Sequence, residues 1–518
     1  MKIVPHIHTA SSQKLSLLLL AIALAIVSFF VQGNIDLNLW DEGFFWYGAQ
    51  RVMLGEVPIR DFMAYDPGRY YWAATIMKIV GDDGIVSLRI SSLVLQALAL
   101  FVGLSLVSQA LKKQDFIFIL ISAITMLMWM FLSYKMADYA VSIFLVAALT
   151  FLIQNPTAKR YFMLGLCVGF AAFFGRNHGV YGILGSLSAF IWLRYKHQEG
   201  CATLKGFAFW GIGVVVGFMP MLLMIVFVPG YAQAFWQSVL ILFQIKDANL
   251  AVAVPWPWLT GLPSLSTSYG LRAMFIGVFF VGLLVFGLAS ISFLFWRKPN
   301  NNYVPPVFVA SAFLALPYAH YAYLRADIHH LSFAVYPLLL GCFALLASQR
   351  PKVKWSLLIL LSTVSIWVTC AYNPGWQCYK IDCVSLRVSG KEVWVSPVVA
   401  KDVALIKNLT ETYAKGQNFI VTPFWPGAYS LLNRKSPMWG IYALLPRGEA
   451  YEKAEIERIK NEHIKMALIT DILLDGREDL LFKNTHPMVY QYIVDNFDKL
   501  PNIANPNYHV YIAKPLAQ

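Results

Sequence analysis

Leu15-Ser-Leu-Leu-Leu-Leu-Ala-Ile-Ala-Leu-Ala-Ile-Val-Ser-Phe-Phe-Val31 carries no charged side chain, and shortly after it comes Asn38-Leu-Trp-Asp-Glu-Gly-Phe-Phe-Trp-Tyr47. At a rise of about 1.5 Å per residue, roughly 20 apolar residues cross the hydrocarbon core of a bilayer. Residues 14–33 therefore read as a membrane span. The run is long for the apolar part of a secretory signal, and Val31-Gln-Gly33 is a poor cleavage site, so the helix is read as retained. The second stretch then sets two neighbouring carboxylates, Asp41 and Glu42, where the chain leaves the bilayer.

Working outward, similar apolar stretches recur near 85–108, 115–133, 136–154, 161–175, 179–194, 206–228, 271–296, 304–324, 331–348 and 354–372, for about eleven spans in all. Several are short enough to be re-entrant. The chain of 518 residues is 58% hydrophobic and only 13% charged, which is too apolar for a water-facing surface. The expected fold is an all-α polytopic membrane protein. The net charge of +13 does not call for a nucleic acid, because the cations fall in short loops.

With the N-terminus inside, the inner loops carry Lys112-Lys113, Lys159-Arg160, Arg194-Tyr-Lys196 with Lys205, Arg297-Lys298 and Arg350-Pro-Lys-Val-Lys354. Each is basic and almost free of acids, as the positive-inside pattern requires. The outer face then receives segment 34–84, Lys135-Met-Ala-Asp138, Arg176-Asn-His178, Lys246-Asp247, Arg325-Ala-Asp-Ile-His-His330 and the tail. The unusual polar residues converge on one side.

Residues 373–518 change character, with charges of both signs. Strands are expected at 418–422, 466–470 and 508–512, and helices at 454–462 and 486–497, which makes a small C-terminal α/β extracytoplasmic domain. The division expected is 1–372 for the membrane domain and 373–518 for the tail. No glycine-rich phosphate loop opens a helix. Of the six cysteines, Cys167 and Cys342 fall in apolar spans and Cys201 in a basic loop. Cys378 and Cys383 form a disulfide or stay free thiols, depending on the compartment.

Asp41 and Glu42 open a short aromatic helix, 41–54, suited to the membrane interface. Acids in a first helical turn also simply complement the macrodipole. Ala64-Tyr-Asp-Pro-Gly-Arg-Tyr-Tyr-Trp72 is a turn by its Asp66-Pro67-Gly68 chemistry. It offers Tyr65, Asp66, Arg69 and Tyr70 as cavity or headgroup contacts, or as an ordinary aromatic belt. Arg325, Asp327 and His330 at a span edge are costly unless paired or used, and a guanidinium with an imidazole can hold a phosphate. Arg176 and His178 offer a second such pair, and Lys135 with Asp138 a third polar group.

These motifs resemble the GT-C glycosyltransferases. Trp40-Asp-Glu-Gly, Tyr47-Gly-Ala-x-Arg51-Val-x-x-Gly55-Glu-Val-Pro58, the Tyr-Asp-Pro-Gly-Arg-Tyr-Tyr-Trp turn and Arg325-x-Asp327-x-x-His330 carry the resemblance. It looks closest to the bacterial RgtA/B/C/D-like and protein-mannosyltransferase-like members, and it covers residues 14–350. It implies glycosyl transfer at the outer face of a membrane, in a bacterium the inner membrane, with the tail periplasmic or extracellular. The donor is a sugar on a polyprenyl phosphate, and the acceptor a lipid, glycan or protein. The family's catalytic acid maps onto Asp41, with Glu42 sharing the work or binding a cation. A divalent cation is a possible cofactor, with Asp41 and Glu42 its candidate ligands. Arg325, His330, Arg69, Arg176 and His178 are then candidates for the donor phosphate. Tyr65, Asp66, Tyr70, Lys135, Asp138 and Asp327 are candidates for the substrate cavity. The turn Gly175-Arg-Asn-His departs from family turns that have an acid where Asn177 stands.

Two rival readings use the same outer polar face. A lipid or glycan flippase predicts charged residues at span centres, where they are scarce. A ligase acting on a polyprenyl-diphosphate carrier would place its key residues in 229–270, around Gln244, Lys246, Asp247 and Pro255-Trp-Pro-Trp258.

Overall fold

The computed structural model describes residues 7–196, 204–245, 250–261, 266–296, 304–501 and 505–514. Cys201, Lys246, Asp247, Arg297 and Lys298 and the side chain of Gln244 lie outside the described residues.

Each expected span is helical. The chain runs through α1 (Ile7–Gln32), α2 (Asp41–Met53), α3 (Gly68–Val80), α4 (Ile85–Ala110), α5 (Phe116–Trp129), α6 (Met136–Gln154), α7 (Ala158–Phe174) and α8 (Arg176–Tyr195). It continues through α9 (Leu204–Gly217), α10 (Met219–Phe227), α11 (Tyr231–Ile245), α12 (Ser268–Trp296), α13 (Pro306–Leu324), α14 (Ile328–Ala334), α15 (Tyr336–Leu346) and α16 (Pro351–Cys370). Among the described residues, six helices are long and apolar enough to cross a membrane, namely α1, α4, α6, α12, α13 and α16. The number is eight if the bent pairs α9–α10 and α14–α15 each make one span. That is fewer than the eleven expected. The 14 residues of α5 reach only about 21 Å, the 17 of α7 fall just short, and α8 opens on Arg176-Asn-His178. Both bends are 53°. They fall just ahead of Pro220 and Pro337, where a ring replaces an N–H and clashes with the preceding turn. The spans expose Val226, Phe227, Val285, Leu288 and Leu360, as a lipid-facing surface should. The protein is integral and multi-pass.

The chain divides into two compact units. The membrane unit holds Met1–Gln32, Ser92–Val228 and Asp247–Trp376. Within it α13 packs against α6, α8, α12, α14 and α15, and is buried on most of its surface. The tightest pairing is α7 on α9. Gly165 and Gly169 face carbonyls of Trp210 and Val214, while Gly213 and Gly217 face those of Phe162 and Leu166, so closely that a Cβ would collide at each. Two Gly-x-x-x-Gly repeats thus let the backbones touch, which is how helices associate where lipid removes the hydrophobic drive.

The second unit is composite: Gly33–Ser91, Pro229–Lys246 and Gln377–Gln518. The tail enters this unit at Gln377. However, the first loop does not belong with the spans; it packs with the tail. Ile35 bridges Trp394, Met63 N donates to the Trp439 carbonyl at 2.9 Å, and Trp439 Nε1 donates to the Ile59 carbonyl at 3.0 Å. The tail supplies the hairpin β1 (Val384–Val388) and β2 (Lys391–Val395), with the Cys378–Cys383 disulfide just before it. A four-stranded sheet follows in the order β3-β4-β6-β5, from β3 (Phe419–Thr422), β4 (Met466–Thr470), β5 (Phe497–Lys499) and β6 (Tyr508–Ala513). β3 and β4 are parallel and the rest antiparallel. Ile420, Ile469, Ile459, Val489 and Ile493 fill its core.

After α17 (Gln377–Lys380), the helices of this unit are α18 (Pro397–Leu409), α19 (Gly427–Leu431), α20 (Glu449–Asn461), α21 (Phe482–Thr485) and α22 (Pro487–Asn496). The three strands and two helices expected in the tail are present. β1, β2, β5, α17, α18, α19 and α21 were not expected; all but the 13-residue α18 are only three to five residues long, too short to leave a periodic signal.

Candidate active site

The two acids of the opening motif have opposite surroundings. Glu42 is buried, and Arg89 Nε and Nη2 donate to its two carboxylate oxygens at 2.8 and 2.7 Å. The remaining Arg89 hydrogens reach the carbonyls of Gly33, Ile35 and Asp36 at 3.0, 3.0 and 2.8 Å. One guanidinium therefore ties α2, the start of α4 and the loop between α1 and α2 together. Asp36 takes the left-handed conformation, with φ +67°, to present its carbonyl there. Burial and the Glu42 charge raise the Asp36 carboxyl above its usual range. A buried bidentate pair with its remaining hydrogens satisfied is a structural brace. The geometry thus moves Glu42 away from the shared catalytic role expected of it.

Asp41 is the first residue of α2 and is half-buried. Among the described residues its carboxylate has no hydrogen-bond or ion-pair partner. The helix N-terminus favours its negative charge. Trp40 before it stacks on Phe424 with ring centroids 4.2 Å apart. Gly43 after it lies so close to α19 that a Cβ would stand 2.6 Å from Gly427 N, and Gly427 N donates to the Leu39 carbonyl at 3.0 Å. Asp41 is held from three sides through its neighbours while its own head group is left available.

The aromatic turn is mostly core. Tyr70 is fully buried, its ring lies over Gly48, and its hydroxyl accepts from Tyr65 N at 3.1 Å. It is a packing residue, not the cavity residue expected. Arg69 is buried with its guanidinium 4.8 Å from the Tyr65 ring centre, and Asp66 is buried beside it in sequence. Tyr65 also meets Phe44 edge-on.

In the membrane unit the candidate acids are paired. Asp138 of α6 and His178 of α8 are both about 1% exposed, with Oδ1 and Nε2 3.0 Å apart. Tyr321 donates to the same oxygen at 3.2 Å, and Tyr318 Oη lies 2.8 Å from His178 Nδ1. Depth this great suits a polar pin between helices better than contact with a headgroup. Asp327 caps α14 by accepting from His330 N at 2.8 Å, and the same oxygen meets His330 Nδ1 at 2.8 Å. Arg325 Nε donates to the other Asp327 oxygen at 2.8 Å, and Nη1 to the Leu250 carbonyl at 3.0 Å. Burial raises the Asp327 carboxyl, but the bond and charge of His330 more than offset it and hold it well below the usual range. These three side chains keep partial exposure, at 17, 24 and 16%. Arg176 begins α8, and Lys135 closes a short turn with its ammonium 5.7 Å from the Phe333 ring.

Among the described residues no three His, Cys, Asp or Glu side chains are grouped to hold a metal. With both Glu42 oxygens on Arg89, the Asp41–Glu42 pair does not fit the cation site expected of it. Sequence reasoning undervalued Arg89. Its signal was a guanidinium at the start of an apolar span, downstream of an acid pair, which needs a partner.

No protein-family model matches the chain, and no curated protein does. Among solved structures it is similar to the Archaeoglobus fulgidus oligosaccharyltransferase in the apo form, at 13% identity and TM-score 0.47, covering 94% of this chain and 73% of that one. It is also similar to ArnT from Cupriavidus metallidurans bound to undecaprenyl phosphate, at 13% identity and TM-score 0.46, covering 96% and 99%. A third is the Archaeoglobus fulgidus enzyme AglB with an inhibitory peptide and a dolichol-phosphate, at 12% identity and TM-score 0.44, covering 98% and 75%. At that distance the similarity carries nothing about the substrate or activity of this chain.

Proposed function

We propose that the protein is a membrane glycosyltransferase that moves a sugar from a polyprenyl-phosphate carrier to a hydroxyl acceptor, with Asp41 as general base. The observation that carries the proposal is the contrast within one motif: Arg89 holds both carboxylate oxygens of Glu42, while the Asp41 carboxylate has no partner among the described residues. An acceptor hydroxyl is a poor nucleophile at neutral pH, and a carboxylate within hydrogen-bond reach removes its proton as the oxygen attacks. The new C–O bond forms at the anomeric carbon, the bond to phosphate breaks, and the proton ends on Asp41. A single displacement of this kind inverts the anomeric centre. The leaving lipid phosphate gains charge, which preorganised cations stabilise. Arg69, in the same composite unit as Asp41, is the proposed candidate for that role. The acceptor is a lipid, glycan or protein. The basic loops support an N-terminus inside, and the Cys378–Cys383 disulfide supports an oxidising compartment for the tail, such as a bacterial periplasm.

The test is an in vitro assay over a panel of polyprenyl-phosphate sugars, comparing wild type with Asp41→Asn. A wild-type product that is lost in the variant supports the reading. Equal turnover by both removes Asp41 as the base, and lipid movement without glycosidic product would make the protein a flippase instead.

A further inference from the structure

The composite unit contains a polar pocket of about 550 Å³ whose lining does not include Asp41. We infer that it binds a neutral, hydroxyl-rich ring, a glycosyl unit, at a subsite separate from Asp41. It is lined by Gln50 of α2, Asp83 of the turn before α4, Ser389 of the β1–β2 turn, and Ser430 and Asn433 around the end of α19. Gln50 stands nine residues after Asp41. On a helix that is about 13 Å along the axis and a half-turn round it, so the pocket and the candidate base occupy opposite faces of α2.

Three features point to a ligand. Ser430 is 2% exposed, and its hydroxyl is buried without a hydrogen-bond partner among the described residues. Buried polar atoms are rarely left so. Gln50 is 5% exposed, and its amide nitrogen donates to the Asp83 carbonyl at 3.1 Å. That bond fixes the side chain and leaves its oxygen without a donor among the described residues. The Asp83 carboxylate is likewise without a partner among the described residues, whereas that of Asp82 already accepts from Gly84 N and Ser87 Oγ.

The chemistry selects the occupant. Amide, hydroxyl and carboxylate groups together donate and accept, which matches vicinal hydroxyls that do both. Among the lining residues there is no lysine or arginine, which disfavours a phosphate or carboxylate. The described residues offer no cluster of three acidic or imidazole ligands, and a calcium ion needs six to eight oxygens. Leu431 and Leu432 supply an apolar wall for the C–H face of a ring. The volume lies within the range of small-ligand sites.

The site is tested by saturation-transfer NMR on the detergent-solubilised full chain, with a panel of free neutral mono- and disaccharides. We expect at least one to bind below about 10 mM. Asp83→Ala removes an unpartnered acceptor, and Leu432→Trp fills the pocket; each should weaken binding roughly tenfold or more. Asp41→Asn should leave binding intact, which separates this site from the transfer reaction. Absence of binding across the panel overturns the inference. So does saccharide binding that survives both variants, or displacement of the saccharide by millimolar calcium that depends on Asp83.

Discussion

The acid pair of the composite unit and the acids of the membrane unit meet the same constraint with different outcomes. In the membrane unit Asp138 is matched to His178 and Tyr321, and Asp327 to Arg325 and His330. In the composite unit Glu42 is matched to Arg89, and Asp41 beside it to nothing among the described residues. A carboxylate in apolar surroundings must be neutralised or paired, because desolvation costs several kcal/mol. A carboxylate at the start of a helix, half in water, escapes that demand. The comparison teaches that the paired acids build the scaffold, and the acid without a partner among the described residues is the one we propose for chemistry.

The comparison breaks first at Asp41. Asp41→Asn should lower transfer by about 10²- to 10⁴-fold while the thermal unfolding temperature stays within a degree or two of wild type. A large drop in that temperature would make Asp41 structural instead. Arg89→Ala should do the reverse kind of damage, through stability. It takes the bidentate guanidinium away from the buried Glu42 carboxylate, at a cost of about 3–5 kcal/mol, read as lost expression or early thermal unfolding. If Arg89→Ala and Asp41→Asn give the same signature, the division between brace and base fails.

A pH titration sharpens the picture within the composite unit. His486 is held down to about 4 by burial and by the charge of Arg447. Its folded value lies below its unfolded one, so the unfolded state takes up protons first as pH falls. Stability is then complete above the ordinary histidine range and is lost between about 6.5 and 4, by roughly 3 kcal/mol. Denaturation of wild type and His486→Phe across that window checks it; the variant should lose most of the slope.

Two smaller effects close the series. Glu452→Ala should cost about 1–3 kcal/mol, since its buried carboxylate accepts from Met488 N and Val489 N at the start of α22. Tyr318→Phe removes the hydroxyl beside His178, and polar contacts between membrane helices average only about 0.6 kcal/mol. A loss of activity out of proportion to that would return His178 to the substrate site.

Much of the fold was legible in the chain. Apolar runs located every span-like helix, because lipid imposes one period and one length. The tail's longer strands and helices stood out by alternation and by helical spacing. The number of crossings did not, because α5 and α7 are short for a bilayer and α8 opens on Arg176-Asn-His178, while their apolar stretches read like those of the longer helices. Of the candidate site, the motif around Asp41 was legible, but the ranking within it was not. Tyr70 and Glu42 have the residue types of a site and the positions of a core.

The sequence alone determined that this is a multi-pass membrane protein with an acid pair beside its first span, since composition and periodicity act locally. Only the tertiary structure decided which acid Arg89 holds. That answer depended on Arg89 far along the chain and on Gly427 in the tail, and contacts between such distant residues leave no local pattern to read.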